Sequence, residues 1–223
     1  VEQCINDSMN PHRNRPSSPL NTRQARHERY PITVPIQIGP LNMIEVKISE
    51  TSSLRHGQVE TLTNLINSVY SISENGLWVS EDEGFPGRTS VHEIEDFWRA
   101  GQLAIAWQEN QIVGCVHLTL IDARRAEFGM LVTHPEFRRQ GLGASLIDYA
   151  EKWALNRGRE IMQLELLTPK NWTHPVKRML HDWYQRIGYQ PAKSMSLSDT
   201  FPHLAPFLAT PCNFTSYEKK LDA

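Results

Sequence analysis

The stretch EFGMLVTHPEFRRQGLGASLIDYAEKWA, running from Glu127 to Ala154, decides the fold of this chain. It opens as an extended apolar run and turns at His134-Pro135. Arg138 and Arg139 follow, then glycines at 141 and 143. From there Leu142, Leu146, Ile147, Ala150, Trp153 and Ala154 recur at helical spacing and mark the inward face of an amphipathic helix. A helix leaves its first four N–H groups without intrahelical partners, and its dipole puts partial positive charge there. Such an end accepts anions. Gly141 and Gly143 take side chains out of the approach, so a phosphate could reach the amides of Gln140, Gly141, Leu142, Gly143, Ala144 and Ser145, with Arg138 and Arg139 at the rim. The same residues also read as a tight strand-to-helix turn, and two close glycines do not choose between the readings. No Gly-Lys-Ser/Thr follows, which excludes a Walker loop, and a third glycine is missing for a dinucleotide fingerprint.

Working outward, FGMLV (128–132) and IMQLELL (161–167) bracket the glycine turn and helix, a strand–helix–strand unit whose strands should be parallel. LAIAW (103–107) and IVGCVHLTLI (112–121) flank QENQ as a hairpin, and IEVKIS alternates as a half-buried strand from Ile44. Helical spacing marks 53–69, Ser90 with Glu93 forms a capping box for a short helix, and 176–187 forms a last helix. Residues 71–88 read as a long exposed loop, and FTSYEKKL supplies a closing strand. The order implies an α+β fold with one central sheet.

Residues 1–40 carry six prolines and five arginines with few aliphatics, so they read as a flexible arm before one domain over 41–223. An Arg-rich, acid-poor leader can resemble a transit peptide, but it also reads as a plain solvated arm. The chain has 39% apolar residues and a formal charge of -2, which gives no general attraction to nucleic acid or anionic membrane. No apolar run approaches the length of a membrane span. Three separated cysteines, Cys4, Cys115 and Cys212, argue against a disulfide framework and for a reducing, cytoplasmic setting. The nine histidines show no metal-ligand spacing, so no metal is expected, and no Gly-x-Ser-x-Gly elbow is present.

GMLVTHPEFRRQGLGASL, followed by a helix, a strand and then WYQRIGY, resembles the acyl-CoA-binding core of the GNAT N-acetyltransferase superfamily. Arg138, Gly141 and Gly143 match its Arg/Gln-x-x-Gly-x-Gly/Ala element, and Tyr184, Gly188 and Tyr189 match the element of its last helix. The resemblance runs from about Ile44 to Leu221. It implies a mixed, mostly antiparallel sheet whose parallel strand pair splays around pantetheine, with acetyl-CoA as cosubstrate. Leu131 and Val132 would then meet pantetheine, and residues 138–145 the diphosphate. It further implies Glu127 as general base, 14 positions before Gly141 (141 − 127), and Tyr184 as general acid. Asp122 is the next base candidate. Asn171 resembles an asparagine that contacts the cofactor, though 13 positions separate it from Tyr184 (184 − 171), more than the usual spacing.

Acceptor recognition falls by the same resemblance to 70–92, with Tyr70, Trp78, Glu81 and Arg88. Trp78 beside carboxylates would suit a cationic amine, whereas Arg88 would suit a carboxylate. The activity implied is direct transfer to a small-molecule amine. A protein or peptide acetyltransferase and a non-catalytic CoA-binding module are the alternatives. A homodimer is also compatible, dimers being common in that family.

Overall fold

The structure, a computed structural model of the chain, describes residues 32–38, 42–49 and 56–222. The stretch 1–31 of the arm therefore lies outside the described residues. Eight strands form one sheet in the order β1-β2-β3-β4-β5-β6-β8-β7. They are β1 Ile32–Ile38, β2 Asn42–Ser49, β3 Leu103–Gln108, β4 Gln111–Leu120, β5 Arg125–Thr133, β6 Ile161–Pro169, β7 Gln190–Ser196 and β8 Cys212–Lys220. Among the described residues five α-helices accompany them: α1 His56–Ser73, α2 Val91–Arg99, α3 Leu142–Leu155, α4 Pro175–Arg186 and the single turn α5 Leu197–Thr200. Ser90 caps α2, its side chain accepting from the N–H of Glu93. The expected hairpin joins β3 to β4, with Glu109 at φ 53 in its two-residue turn.

Two strands were hidden in the sequence. Residues 32–38, assigned to the arm by composition, pair along their length with β2, and β7 pairs with β8 at the opposite edge. Both carry a proline, Pro35 or Pro191, a residue compatible with a strand only where one edge is unpaired. Their sequences consequently look like loop.

The sheet separates two cores. On one face α3 buries Leu142, Leu146, Ile147, Ala150, Trp153 and Ala154 against Val116, Leu118, Ala126, Phe128 and Leu164. On the other, α1 and α2 bury Val59, Leu62, Ile66, Ile94 and Phe97 against Ile105, Cys115, Met130 and Val132. A third cluster, Leu77, Leu167, Leu197, Phe201, Leu204, Cys212 and Phe214, closes one end of the molecule. Leu77 corrects the expectation of a wholly exposed loop over 71–88. Its carbonyl accepts from the N–H of Ala209 at 3.0 Å, and the N–H of Val79 donates to Phe207 at 2.9 Å. Backbone bonding to a distant segment, which no local periodicity announces, pins that loop down.

The sheet is antiparallel throughout except where β5 meets β6. That parallel pairing lasts for only three pairs, Arg125↔Ile161, Ala126↔Met162 and Glu127↔Gln163. Beyond it the strands part. The cause lies in β5, where the register against β4 slips between Cys115 and His117 and Met130 takes a left-handed φ of 43°. An extra residue on one strand bends it and reverses which face its side chains meet. Ala126 and Phe128 accordingly pack on the α3 side, whereas Met130 and Val132 pack under α1 and α2.

Candidate active site

The parted ends of β5 and β6 open into a cavity of about 640 Å³, within the size range of small-molecule sites. Its walls come from β5 (Phe128, Gly129, Leu131, Thr133), β6 (Leu164 to Leu167), the mouth of α3, the inner face of α4 and the C-terminal part of α1 with the loop beyond it.

At one end lies the glycine turn. Arg139 takes φ 61 and Gly141 φ 88, so the chain enters α3 through two left-handed residues. Gly141 is the N-cap, it has no side chain to satisfy the first amides, and a Cβ there would meet nothing within 4 Å. That approach is open. At Gly143 a Cβ would meet Trp183 Cη2 at 3.3 Å, so part of the mouth is bordered by the Trp183 ring. Arg138, Arg139, Gly141, Gly143 and Ala144 all line the cavity. The other members of the expected set do not. Leu142 is buried in the core, the Ser145 hydroxyl donates to the Gly141 carbonyl at 3.2 Å, and the Gln140 amide turns back to the Glu136 carbonyl.

Along β5, Leu131 faces the cavity while the bulge sends Val132 into the opposite core. Asn171 is exposed in the turn after β6 and is not among the residues that line the cavity.

Deeper in the V, Tyr184 on α4 lines the cavity and is buried, with Phe128, Tyr189 and Tyr217 rings 6.2 to 6.3 Å from its own. Burial, and then the neighbouring Tyr70 and Tyr217 hydroxyls, push its pKa above the ordinary tyrosine value, so it stays protonated near neutrality. Trp183 lies nearly parallel to Tyr184, with centroids 5.2 Å apart, and lines the same cavity. Adjacent helical residues usually diverge, but both of these rings line the cavity.

Two carboxylates stand on the α1/α2 side of the splay. Glu127 is buried in the last parallel pair and accepts from Gln163 Nε2 at 2.9 Å. It sits at the closed end of the V and does not itself line the cavity. Glu165, two residues further along β6 on the same face as Gln163, does line it. The sequence reading missed Glu165, although strand alternation from Gln163 marks it. Asp122, the next base candidate, is not among the residues that line the cavity. Its oxygens take the N–H groups of Arg124 and Arg125 and the Arg125 guanidinium in an exposed turn, and these bonds hold its pKa down at about 2. His117, on β4 opposite Gly129, is pushed down to about 3, chiefly by burial with nearby positive charge including Arg88 adding to it, so it is neutral at physiological pH.

At the far end Tyr70, Trp78 and Arg88 line the cavity, joined by Glu74 and Lys177. Lys177 Nζ meets Glu74 Oε1 at 2.6 Å, with both side chains at least nine-tenths buried, and Trp78 Nε1 donates to Glu74 Oε2 at 2.7 Å. Burial alone would raise the Glu74 pKa. The charges of Lys177 and Arg88 and the two hydrogen bonds outweigh it and hold the carboxyl below its ordinary value. His174 caps α4, its Nδ1 accepting from Val176 and Lys177 while Nε2–H donates to the Asn75 carbonyl at 3.2 Å. Lys177 could have been found from Tyr184, since it lies two helical turns earlier on the same face. In the acidic loop Glu81 begins a 3-10 turn, and exposed Glu83 accepts from the Ser80 hydroxyl at 2.9 Å.

Residues 97–191 match the family of acetyltransferase (GNAT) domains. The amino-acid acetyltransferase of Pseudomonas paraeruginosa (strain PA7) is 29% identical over 140 residues, 62% of this chain and 28% of that protein. The chain thus spans little more than a quarter of the length of that curated relative. Among solved structures, an N-acetylglutamate synthase from Neisseria gonorrhoeae, complexed with coenzyme A and N-acetyl-glutamate, superposes with a TM-score of 0.53 at 17% identity. That match covers 80% of this chain and 35% of the other. An aminoglycoside 6'-N-acetyltransferase from Enterococcus faecium gives a TM-score of 0.56 at 15% identity, covering 79% and 97%. At these identities the superpositions speak for the fold, which agrees in its splayed strand pair with what the sequence motifs imply. Residues 97–191 thus match an acetyltransferase (GNAT) domain, and the fold of the described residues agrees with that match.

Proposed function

We propose that this chain transfers the acetyl group of acetyl-CoA to a primary amine of a small molecule, directly and without an acyl-enzyme. One observation carries the reading. The β5–β6 splay opens a single cavity that runs from an uncapped helix mouth with two arginines to a buried tyrosine and, beyond it, a polar chamber. The similarity to an amino-acid acetyltransferase, an N-acetylglutamate synthase and an aminoglycoside 6'-N-acetyltransferase is consistent with it.

The residues present suit acetyl-CoA. The open approach over Gly141, flanked by Arg138 and Arg139, fits a diphosphate, with the amides of Gly143 and Ala144 as further donors. The edge of β5 at Leu131 fits pantetheine. When bound, the cosubstrate supplies a thioester carbonyl as electrophile, and everything else falls to the chain. A free alkyl amine titrates near 10, so about 3 units, or roughly 4 kcal/mol, separate it from its nucleophilic form at pH 7. Glu127 and Glu165 are the carboxylates placed to take that proton, Glu165 from within the cavity and Glu127 through one water.

Tyr184 faces the leaving sulfur. An alkyl thiol titrates at roughly 8.5, whereas Tyr184 lies above 10, so full proton transfer to the thiolate would be uphill by more than about 2 kcal/mol. The tyrosine therefore acts by donating a hydrogen bond to the charge that develops there. Cysteine relay is disfavoured among the described residues, because neither thiol lines the cavity. Burial pushes Cys115 up to about 12 and Cys212 up to about 11.

The test is acetyl-CoA-dependent thiol release over a panel of small amines, with Tyr184→Phe beside the wild type. We expect Tyr184→Phe to lower kcat by roughly 100-fold with the KM for acetyl-CoA unchanged. Equal losses in both would make Tyr184 a packing residue. Binding of acetyl-CoA with no amine-dependent release, or release with peptides alone, would overturn the proposal.

A further inference from the structure

We infer that the acceptor amine is carried on an apolar body, an alkyl or aryl-alkyl chain, which is seated against Ile72, Trp78 and Met179. This rests on the transfer reading above and names its substrate class.

The far chamber is built where the end of α1 meets the start of α4. Two polar ties join the helices there: Lys177 Nζ meets Glu74 Oε1 at 2.6 Å, and His174 Nε2–H donates to the Asn75 carbonyl at 3.2 Å. Glu74 accepts the Trp78 indole N–H on its second oxygen. The Arg88 guanidinium lies over the Tyr70 ring, 5.0 Å from its centroid. These polar groups are engaged with one another and hold the two helix ends at a fixed spacing. The stripes beside them are hydrocarbon. Val69 and Ile72, one turn apart on α1, line the cavity, as do Val176, Met179 and Leu180 on one face of α4.

That apolar surface continues out to the water. Ile72 and Met179 line the cavity and yet remain 58% and 53% exposed. Single apolar side chains on a surface are ordinary, but two that stand on different helices and line one cavity make an apolar rim. Trp78 extends it as a fixed wall. Its ring stacks on Phe85 with centroids 5.0 Å apart and planes 8° from parallel, Phe207 lies 6.3 Å beyond Phe85, and the Trp78 backbone bridges to Leu208. A chain that covers Ile72, Met179 and the Trp78 ring takes apolar surface out of water. An ammonium or carboxylate tail in the same place would lose hydration against aliphatic carbon. Tyr184 lines the same cavity, so a chain seated at this rim carries its amine toward the transfer site.

The experiment runs the primary amines from ethylamine to hexylamine, with phenylethylamine, against acceptors of matched length that end in a charge, aminohexanoate and hexamethylenediamine, and an aminoglycoside. All are read by thiol release with acetyl-CoA on the full chain. We expect kcat/KM to rise about 3- to 4-fold for each added methylene, and the charged-tail acceptors to fall roughly 10-fold or more below hexylamine. Ile72→Ser should cut the ratio of hexylamine to ethylamine by about fivefold through the hexylamine KM, and Met179→Ser should act in the same direction. Both side chains are exposed, so the melting temperature and the KM for acetyl-CoA should stay as they are, and Ile72→Leu should keep the wild-type ratio. No dependence on chain length, a preference for charged tails, or a ratio that neither serine variant changes would overturn the inference and leave acetyl transfer standing. So would a length dependence that follows the acyl group of longer acyl-CoA donors instead of the amine. A dimer that Ile72→Ser dissolves would assign the rim to a second copy of the chain and overturn it as well. No release with any amine would overturn the inference too. If acetyl-CoA also failed to raise the melting temperature, the transfer reading would fall with it.

Discussion

Replacing Gly143 by alanine separates what the helix mouth does for stability from what it does for binding. Gly143 is the second residue of α3, and its backbone is ordinary helix, so alanine is not strained there as it would be at Gly141 with φ 88. Removing a helical glycine stabilises by about 0.5–1 kcal/mol. Against this, the new Cβ would sit 3.3 Å from Trp183 Cη2 and 3.9 Å from Thr133 Cγ2. The first contact is a few tenths of an ångström too close, but it is the far edge of a half-buried ring that can yield. Net stability should thus change by between 0 and +1 kcal/mol, a melting shift of at most about 4 °C in a chain of this size.

Binding should move the other way. A helical Cα–Cβ bond tilts toward the N-terminus, so the methyl would stand in the mouth where the amides meet a diphosphate. A tenfold weaker Kd corresponds to 1.4 kcal/mol. With acetyl-CoA at 100 times the wild-type Kd, ligand stabilisation would fall from about 2.7 to about 1.4 kcal/mol, halving the ligand-induced melting shift. Thermal unfolding with and without acetyl-CoA reads both effects. A variant that keeps the full shift, or that loses more than about 2 kcal/mol without ligand, refutes the reasoning.

Three further outcomes follow from the same geometry. Lys177→Met should destabilise by about 3–5 kcal/mol in urea unfolding, because it strands the buried Glu74 carboxylate, and adding Glu74→Gln should recover most of the loss. His117 binds a proton in the unfolded chain below about 6.5 but in the folded chain only below about 3, so its contribution is lost as pH falls between those values. At pH 5.0 the loss is about 2 kcal/mol (1.5 units at 1.36 each), and His117→Gln should remove that share of the fall in unfolding free energy between pH 7 and 5. Glu127→Gln and Glu165→Gln should each lower kcat for a basic alkyl amine and spare a weakly basic aryl amine. A variant that slows both acceptors equally has lost architecture rather than a base.

Much of this was legible from the chain itself. The 3.6-residue recurrence from Leu142 to Ala154 fixed one face of α3 because a single helix packs on a single sheet there. The glycines before it marked a turn whose φ of 88 at Gly141 admits no other residue cheaply. Tyr184 was singled out by the family resemblance that Tyr184, Gly188 and Tyr189 carry, and it lines the cavity. What stayed hidden depends on contacts distant in sequence. Glu74 and Lys177 are separated by 103 positions, and only the folded sheet shows them as a buried pair. Leu77 looks like loop until the 197–209 segment closes over it. The sequence placed Glu127 on the strand before the glycine turn, but Glu127 does not line the cavity and Glu165 does, because β5 and β6 part beyond Gln163.

The most direct measurement of the central claim is amide hydrogen exchange with and without acetyl-CoA. The first amides of α3 lack helical acceptors and no side chain caps them, so they should exchange quickly in the free protein. On adding acetyl-CoA, peptides covering 139–145 and the bulged segment 129–133 should become protected, while α2 and β7 remain unchanged. Tight binding that leaves 139–145 as fast as before would contradict the account.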